Sequence, residues 1–518
     1  MKTAIVIGGG HNGLIAAFHL AKAGVKPIVL EARDAVGGGA ATGEIHPGFR
    51  CPTLTHEVLL QQRIVHDMDL ARHGLELLTP PAQVCSLSPA GPLVMDGDPA
   101  RTQQGIARFS AKDAEAFPLF QAALQRTASV LASAFEYVPP SIAKPGAADL
   151  WNLLKTARAF RALGKRDAHR LLRWGPMPVA DLMREWFEHE LVRATIAGPA
   201  LIGTMLGPRS AGSSLMLLMR DAHRQLAGGS ALRVKGGPGF ATQALSSAAR
   251  AAGAEIRTST RVDRIVVRDA TVRGVMASGQ TIEADVVLSS ADPKTTWLQL
   301  IEPSELSPDF AGRIQNYRAN GTVAKVNLAL SSLPDFGCAP EALTGRIQIG
   351  PDLDYLERAF DHAKYGEFST QPWLELTIPS LLDDSLAPSG AHVASIYVHY
   401  APRGLRATDW SSARDALLEA VLAVLEGPAA DIRQRVVAAQ VITPLDLERD
   451  YGLAGGHIFH GELALDQLFT MRPLLGSARY GTHIHGLYLC GGGTHPGGFL
   501  TGASGRLAAQ TVLTASEI

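Results

Sequence analysis

The chain is poor in cysteine, in aromatic residues and in net charge. Its four cysteines, Cys51, Cys85, Cys338 and Cys490, are far apart in sequence and form no CxxC pair, so neither a zinc site nor a redox dithiol is expected. That usage suits a reducing compartment and predicts a cytoplasmic protein. A formal charge of −1 over 518 residues leaves no basic field for nucleic acid, and no such partner is expected. No apolar run reaches the roughly eighteen residues of a spanning helix. Lys2 leads at once into an apolar strand, so no secretory leader is expected. Internal repeats of fixed period are also lacking.

What the chain has is glycine, 52 residues of it, and the informative ones fall in two loops near its ends. Residues 3–7, TAIVI, read as a buried parallel strand. Residues 12–23 carry apolar positions at helical spacing, Gly24 is a helix stop, and PIVLEA at 27–32 reads as the next strand. Between them, Gly8, Gly10 and Gly13 fit G-x-G-x-x-G. The first glycine permits the tight turn, the second lets backbone approach a pyrophosphate, and the third lets helix pack on strand. The helix N-terminus adds free N–H groups and positive potential. Glu31 follows Gly13 by 18 residues, where a carboxylate accepts hydrogen bonds from ribose hydroxyls and repels a 2′-phosphate. This pattern predicts a dinucleotide, with FAD and NAD both open at this point. Gly37 and Gly38 provide a second place for close backbone approach.

Further along, residues 101–225 read mostly as helices inserted into the first domain. From 238 a helix leads to the strand AEIRTS and then to alternating strands and turns, a β-meander. At 486–509, GLYLCGGGTHPGGFLTGASGRLAA, a strand, glycine loop and helix return. At this length one interrupted domain with large insertions fits well.

The stretch VIGGGHNGLIAAFHLAKAG…VLEARDAVGG, with RVKGGPGFATQALSSAARAAGAEIRTSTRVDRIVV, EADVVLSSADP and the last block, resembles the glutathione-reductase-like FAD proteins of the phytoene-desaturase and amine-oxidase branch. The last block looks most like the phytoene-dehydrogenase-related proteins. The resemblance implies an α/β fold: an interrupted Rossmann-like FAD-binding domain of the glutathione-reductase type plus a substrate domain of mixed β-sheet and helices. It places the FAD domain at 1–75, 226–300 and 476–518, and the substrate domain, with a helical lid, at 76–225 and 301–475. FAD is the implied cofactor. Its implied contacts are Gly8, Gly10, Gly13, Glu31, Ala32, Arg33, Gly37 and Gly38 at the nucleotide end, Val262 at the adenine, and Gly492, Gly493, Thr501 and Gly502 at the flavin end. The sequence departs from many relatives in having no acid at 491–494 and glycine in place of arginine at Gly39.

His495 and His460 are the candidate catalytic residues, as imidazoles able to tune flavin charge or move a proton. His457 stands beside them as a weaker candidate, and Phe499 is a residue that could narrow the space by the ring. His483 and His485 alternate before a strand, but no acidic or cysteine residue stands at metal-ligand spacing from them in the sequence, so no metal is expected. The expected reaction is dehydrogenation of a small apolar, isoprenoid or polyene-like substrate, with O2 or a quinone as electron acceptor. Flavin amine oxidation and a partner-binding role for the flavoprotein are the alternatives. Residues 150–174 combine seven Lys and Arg with apolar residues at helical spacing, which fits either a solvated lid or peripheral contact with the inner face of a membrane. Oligomeric state is left open.

Overall fold

A computed structural model describes residues 2–142, 144–229 and 232–515. The parts of the expected FAD domain at residues 1, 230–231 and 516–518 lie outside the described residues. Thr3–Ile7 (β1), His11–Lys22 (α1) and Lys26–Leu30 (β2) form the βαβ unit. β1 is buried from Ala4 to Ile7 because both faces of its sheet are covered, as its continuous apolar run requires. The five-stranded sheet runs Leu487–Leu489, Val286–Ser289, β1, β2, Glu255–Arg257, with every pairing parallel. Its strands therefore come from three separated stretches, and the chain leaves this domain and returns to close it. The antiparallel meander Val262–Arg268, Thr271–Ala277 and Gln280–Glu283 hangs beside it.

Small residues set how closely helices pack here. A Cβ on Gly13 would lie 2.1 Å from the Gly8 carbonyl oxygen, and one on Gly505 would lie 2.1 Å from the Asn12 carbonyl oxygen. α1 is thus pinned between the first glycine loop and the last helix, Ala503–Thr514.

The second domain is built on a seven-stranded sheet in the order Val436–Ile442, Val323–Leu330, His392–His399, Trp373–Thr377, Arg346–Ile349, Ala82–Leu87, Leu93–Asp96. Alternation gives it two unlike faces. Val326, Leu328, Ile396, Val398, Leu374, Leu376 and Ile347 pack with the helix Trp410–Glu426 into an apolar core. On the other face, registered pairing sets Lys325, Tyr397, Glu375, Gln348 and Ser86 in one row across five strands. All five are buried. Helices from Pro99–Ala107 to Ser213–Leu226 cover this face and have their own aromatic core around Phe120, Phe135, Trp174 and Phe187.

The basic segment 150–174 is two helices, Ala147–Ala162 and Gly164–Trp174, because Gly164 takes a left-handed φ of 71° between them. Among the described residues no helix is long and apolar enough to cross a membrane.

Candidate functional site

A cavity of about 360 Å³ lies where the first glycine loop meets the last, and elements of both domains wall it. Its floor is the β1–α1 turn. Gly8 has φ 92° and donates its N–H to Leu30 O at 2.8 Å. Gly10 is the N-cap of α1, and space is open where its Cβ would stand. No side chain caps α1 and no acid sits in its first turn, so its first N–H groups and positive end are left for an anion. Glu31 is buried, and its two oxygens accept from Gly9 N at 2.7 Å and Arg33 N at 2.9 Å. The carboxylate thus fixes the loop and keeps a spare lone pair on each oxygen for a ribose hydroxyl.

Of the residues expected at the cofactor, Gly8, Gly10, Glu31, Ala32, Arg33, Gly37, Gly38, Val262 and Gly492 line this cavity. Gly13 lies beneath it as the helix-packing glycine. Gly493, Thr501 and Gly502 do not line it. Gly493 is a close-packing position, since its Cβ would meet Pro293 at 2.4 Å. Gly502 caps the last helix with φ 75°, facing Ile15 and Ile64, and Thr501 accepts Gln61 N at 3.1 Å through its carbonyl. Gly498, Phe499 and Leu500 take their place in the wall.

The histidines divide. His460 lines the cavity with its Nδ1 unpartnered, and burial lowers its pKa. His495 was expected beside the flavin but is packed under the helical block. Its ring stands edge-on to Phe135, its Nε2 lies 3.3 Å from Ala134 O, and burial brings its pKa down to about 4. The long helix Ala111–Ala134, distant in sequence, claims that ring. His457 is spent on Phe459 N at 3.1 Å.

His11, which the motif reading treated as an unspecified x, lines the cavity with its Nε2 unpartnered. Burial, and secondarily His460, lower its pKa to about 3. Residues 448–454 also enter the wall, with the Arg33 guanidinium 4.7 Å from the centre of the Tyr451 ring. Arg472 is fully buried and ties the two sides together, donating to Phe459 O at 2.8 Å and Gly492 O at 2.9 Å. No sequence motif announced Arg472, since its partners are carbonyls. Cys85 and Cys338, distant in sequence, share a thiol hydrogen bond, which with burial raises the Cys85 pKa. Cys85 belongs to the apolar core on the sheet face turned away from this cavity, so the pair does not make a dithiol beside the cofactor.

The residues fit FAD: an open glycine cradle at an uncapped helix end, a buried carboxylate at the end of β2 with room for a ribose hydroxyl, and two unpartnered imidazole nitrogens, at His11 and His460. A parallel-sheet nucleotide domain interrupted by a sheet-and-helix substrate domain defines a flavin-dependent oxidoreductase. The chain belongs to the FAD dependent oxidoreductase family, whose family model matches residues 3–511. It is 36% identical to pyridine nucleotide-disulfide oxidoreductase domain-containing protein 2 of Rattus norvegicus, over 98% of this chain and 93% of that one. It is 25% identical to the lycopene-forming phytoene desaturase of Pantoea ananas, over the whole of both chains. Among solved structures, a putrescine oxidase variant superposes with TM-score 0.60 at 16% identity, over 99% of this chain and 98% of that one.

Proposed function

We propose that the protein dehydrogenates an apolar substrate of isoprenoid or polyene type. The observation that carries this reading is the wall of the cavity around Gly492, where Leu54, Ile458, Phe459, Phe499 and Leu500 converge. When bound, FAD supplies the hydride acceptor at its N5. The chain's part is to hold and to exclude. Gly10 and the first N–H groups of α1 take the pyrophosphate, and Glu31 takes the ribose. His11 and His460, kept neutral by burial, offer hydrogen bonds to the bound group without adding charge. Phe459 and Phe499, with ring centres 5.0 Å apart, keep water from the reacting C–H bond. The phytoene desaturase relative supports the same substrate class.

Anaerobic mixing tests the proposal. An isoprenoid or polyene should bleach the flavin's visible absorbance, and bleaching by amines alone would refute it.

We also propose O2 or a quinone as electron acceptor, and contact of the helix Ala147–Ala162 with an anionic bilayer. On that helix Leu150, Trp151, Leu153 and Leu154 are exposed beside Lys155, Arg158 and Arg161, an arrangement suited to an interface. The protein should float with anionic vesicles, and Trp151→Ser with Leu154→Ser should leave it in the pellet. Wild-type protein that does not float would refute the contact.

A further inference from the structure

A second cavity of about 250 Å³ lies between the polar face of the seven-stranded sheet and the helices Ala111–Ala134 and Ser213–Leu226. The cofactor reading makes no use of it. Arg220, Arg224 and Arg346 line it, as do Glu57 and Asp221. Arg220 pairs with Glu57 at 2.6 Å, and Arg346 Nε lies 3.2 Å from Glu375. The side chains of Arg220 and Arg346 are only 7% and 5% exposed. Even so, Arg220 Nε and both Arg346 Nε and NH1 have no hydrogen-bond partner. Arg224 Nε and Arg233 NH1, in the same cluster, are buried and unpartnered too.

Buried guanidinium donors without partners are costly, because desolvation is offset only when the charge is paired and hydrogen-bonded. The carboxylates do not suffice. Glu57 is held well below the usual carboxylate range, against the effect of its burial, by Arg220, Arg346, Arg224 and Arg233 together. Glu375 is shared between Arg346 and His56. Asp221 accepts from Gln225 at 2.9 Å, and burial raises its pKa. Asp96, at the strand end, faces the exposed Arg101. The four guanidiniums of Arg220, Arg224, Arg233 and Arg346 thus share two ion-paired carboxylates, Glu57 and Glu375, and the cluster is short of negative charge. Phe117, Phe120, Leu124 and Leu217 form an apolar part of the cavity wall, which Gln83, Thr102, Gln121 and Thr195 complete with neutral polar groups.

We propose that this cavity binds an organic anion with an apolar body, its carboxylate or phosphate group seated among Arg220, Arg224 and Arg346 and its apolar part along Phe117 and Phe120. Planar guanidinium forks match either oxyanion. The site adjoins the cofactor cavity. The Arg220 guanidinium carbon lies 5.6 Å from the centre of the Phe499 ring, which walls that cavity. Thr55 lines one cavity and Glu57 the other.

Calorimetric titration of FAD-loaded protein with octanoate, octyl phosphate and 1-octanol tests this. At least one of the two acids should bind saturably, and the tighter acid identifies the oxyanion. 1-Octanol should not saturate. In Arg224→Gln, at a half-buried position, affinity for that acid should fall about tenfold. Leu217→Trp, which fills the cavity and leaves every charge in place, should abolish binding. Equal binding of 1-octanol overturns the proposal, as does a change below about twofold in Arg224→Gln. Binding retained in Leu217→Trp, or no saturable binding of either acid, overturns it as well. The heat of binding is read without turnover, so the result stands apart from the identity of the dehydrogenated substrate.

Discussion

Gly10 and Gly13 stand three residues apart in one motif, yet alanine at each should fail for a different reason. At Gly13 the added Cβ would lie 2.1 Å from the Gly8 carbonyl oxygen, and real Cβ contacts do not fall below 3.0 Å. α1 would have to retreat by about 0.9 Å, the difference between those two distances. It has nowhere to go, because the Asn12 backbone already abuts Gly505 on the opposite side. Overpacking of this kind costs about 3 kcal/mol where backbone meets backbone. Alanine recovers about 1 kcal/mol in helix propensity. The net loss of about 2 kcal/mol falls on the protein whether or not FAD is present. At Gly10 the Cβ meets nothing within 4 Å, and φ −73°, ψ 172° suits alanine. There the small loss at an N-cap and the gain from a stiffer unfolded chain, each about 0.5 kcal/mol, cancel. The new methyl instead stands where the pyrophosphate must lie, and FAD affinity should fall at least about tenfold. Denaturant unfolding of FAD-stripped protein, together with flavin content per chain, separates the two. Equal destabilisation of the two stripped variants, or full flavin content in Gly10→Ala, would refute the reasoning.

Acid should destabilise the protein well before its carboxylates titrate. Burial lowers the pKa of His223 and His457 to about 3 and of His399 and His495 to about 4. The unfolded chain binds these protons below about pH 6.5 and the folded one does not, so each imidazole costs about 1.4 kcal/mol by pH 5.5. The melting temperature should drop steeply from pH 7 to 5.5, and a flat profile would contradict this. Lys325 acts in the alkaline range: burial lowers its pKa from 10.5 to about 7. Between those values only the unfolded chain holds the proton, so this residue makes stability rise with pH. Subtracting the Lys325→Met unfolding profile from the wild-type profile should isolate that rise, and identical slopes from pH 7 to 10 would show that Lys325 is already charged in the fold. Arg472 bonds only to carbonyls across the two sides of the cavity, so Arg472→Lys, which loses the fork, should lower flavin content while Arg449→Lys, at the exposed rim, should not. Equal flavin content in the two variants would count against the clamp.

Much of the nucleotide half was legible because its chemistry is local. The tight turn, the uncapped helix and Glu31 sit within some thirty residues, and each demands a particular residue type at a particular spacing. The flavin half was read less well for the opposite reason. His495 follows the same glycine loop as Gly492, but its environment is set by Phe135 and Ala134, which arrive from a helix inserted far upstream. His11 was passed over because its significance depends on His460, more than four hundred residues away. The meander announced itself through alternation and turns, whereas the break at Gly164 turns on one left-handed residue inside an amphipathic pattern that otherwise runs on.

The seven-stranded sheet shows why a substrate domain is hard to read from hydrophobicity. Its strand Val323–Leu330 is buried at all eight positions, and by composition it resembles any core strand. Yet alternation puts Val326 and Leu328 into an apolar core and Lys325 and Asn327 on the opposite, equally buried face. A lysine with no exposure costs more than a methionine of similar volume would, so folding alone gives no reason to keep it. The same holds for Glu375 and Gln348 along the row, and for Arg346 beside it. A face that sacrifices stability in five strands at matched register has its use in what binds against it. Here Tyr397 of the row lines the cofactor cavity, and Arg346, two residues from Gln348 on the same strand, lines the second cavity. The polar face is thus the structural link between the two cavities, and the substrate domain is organised around it.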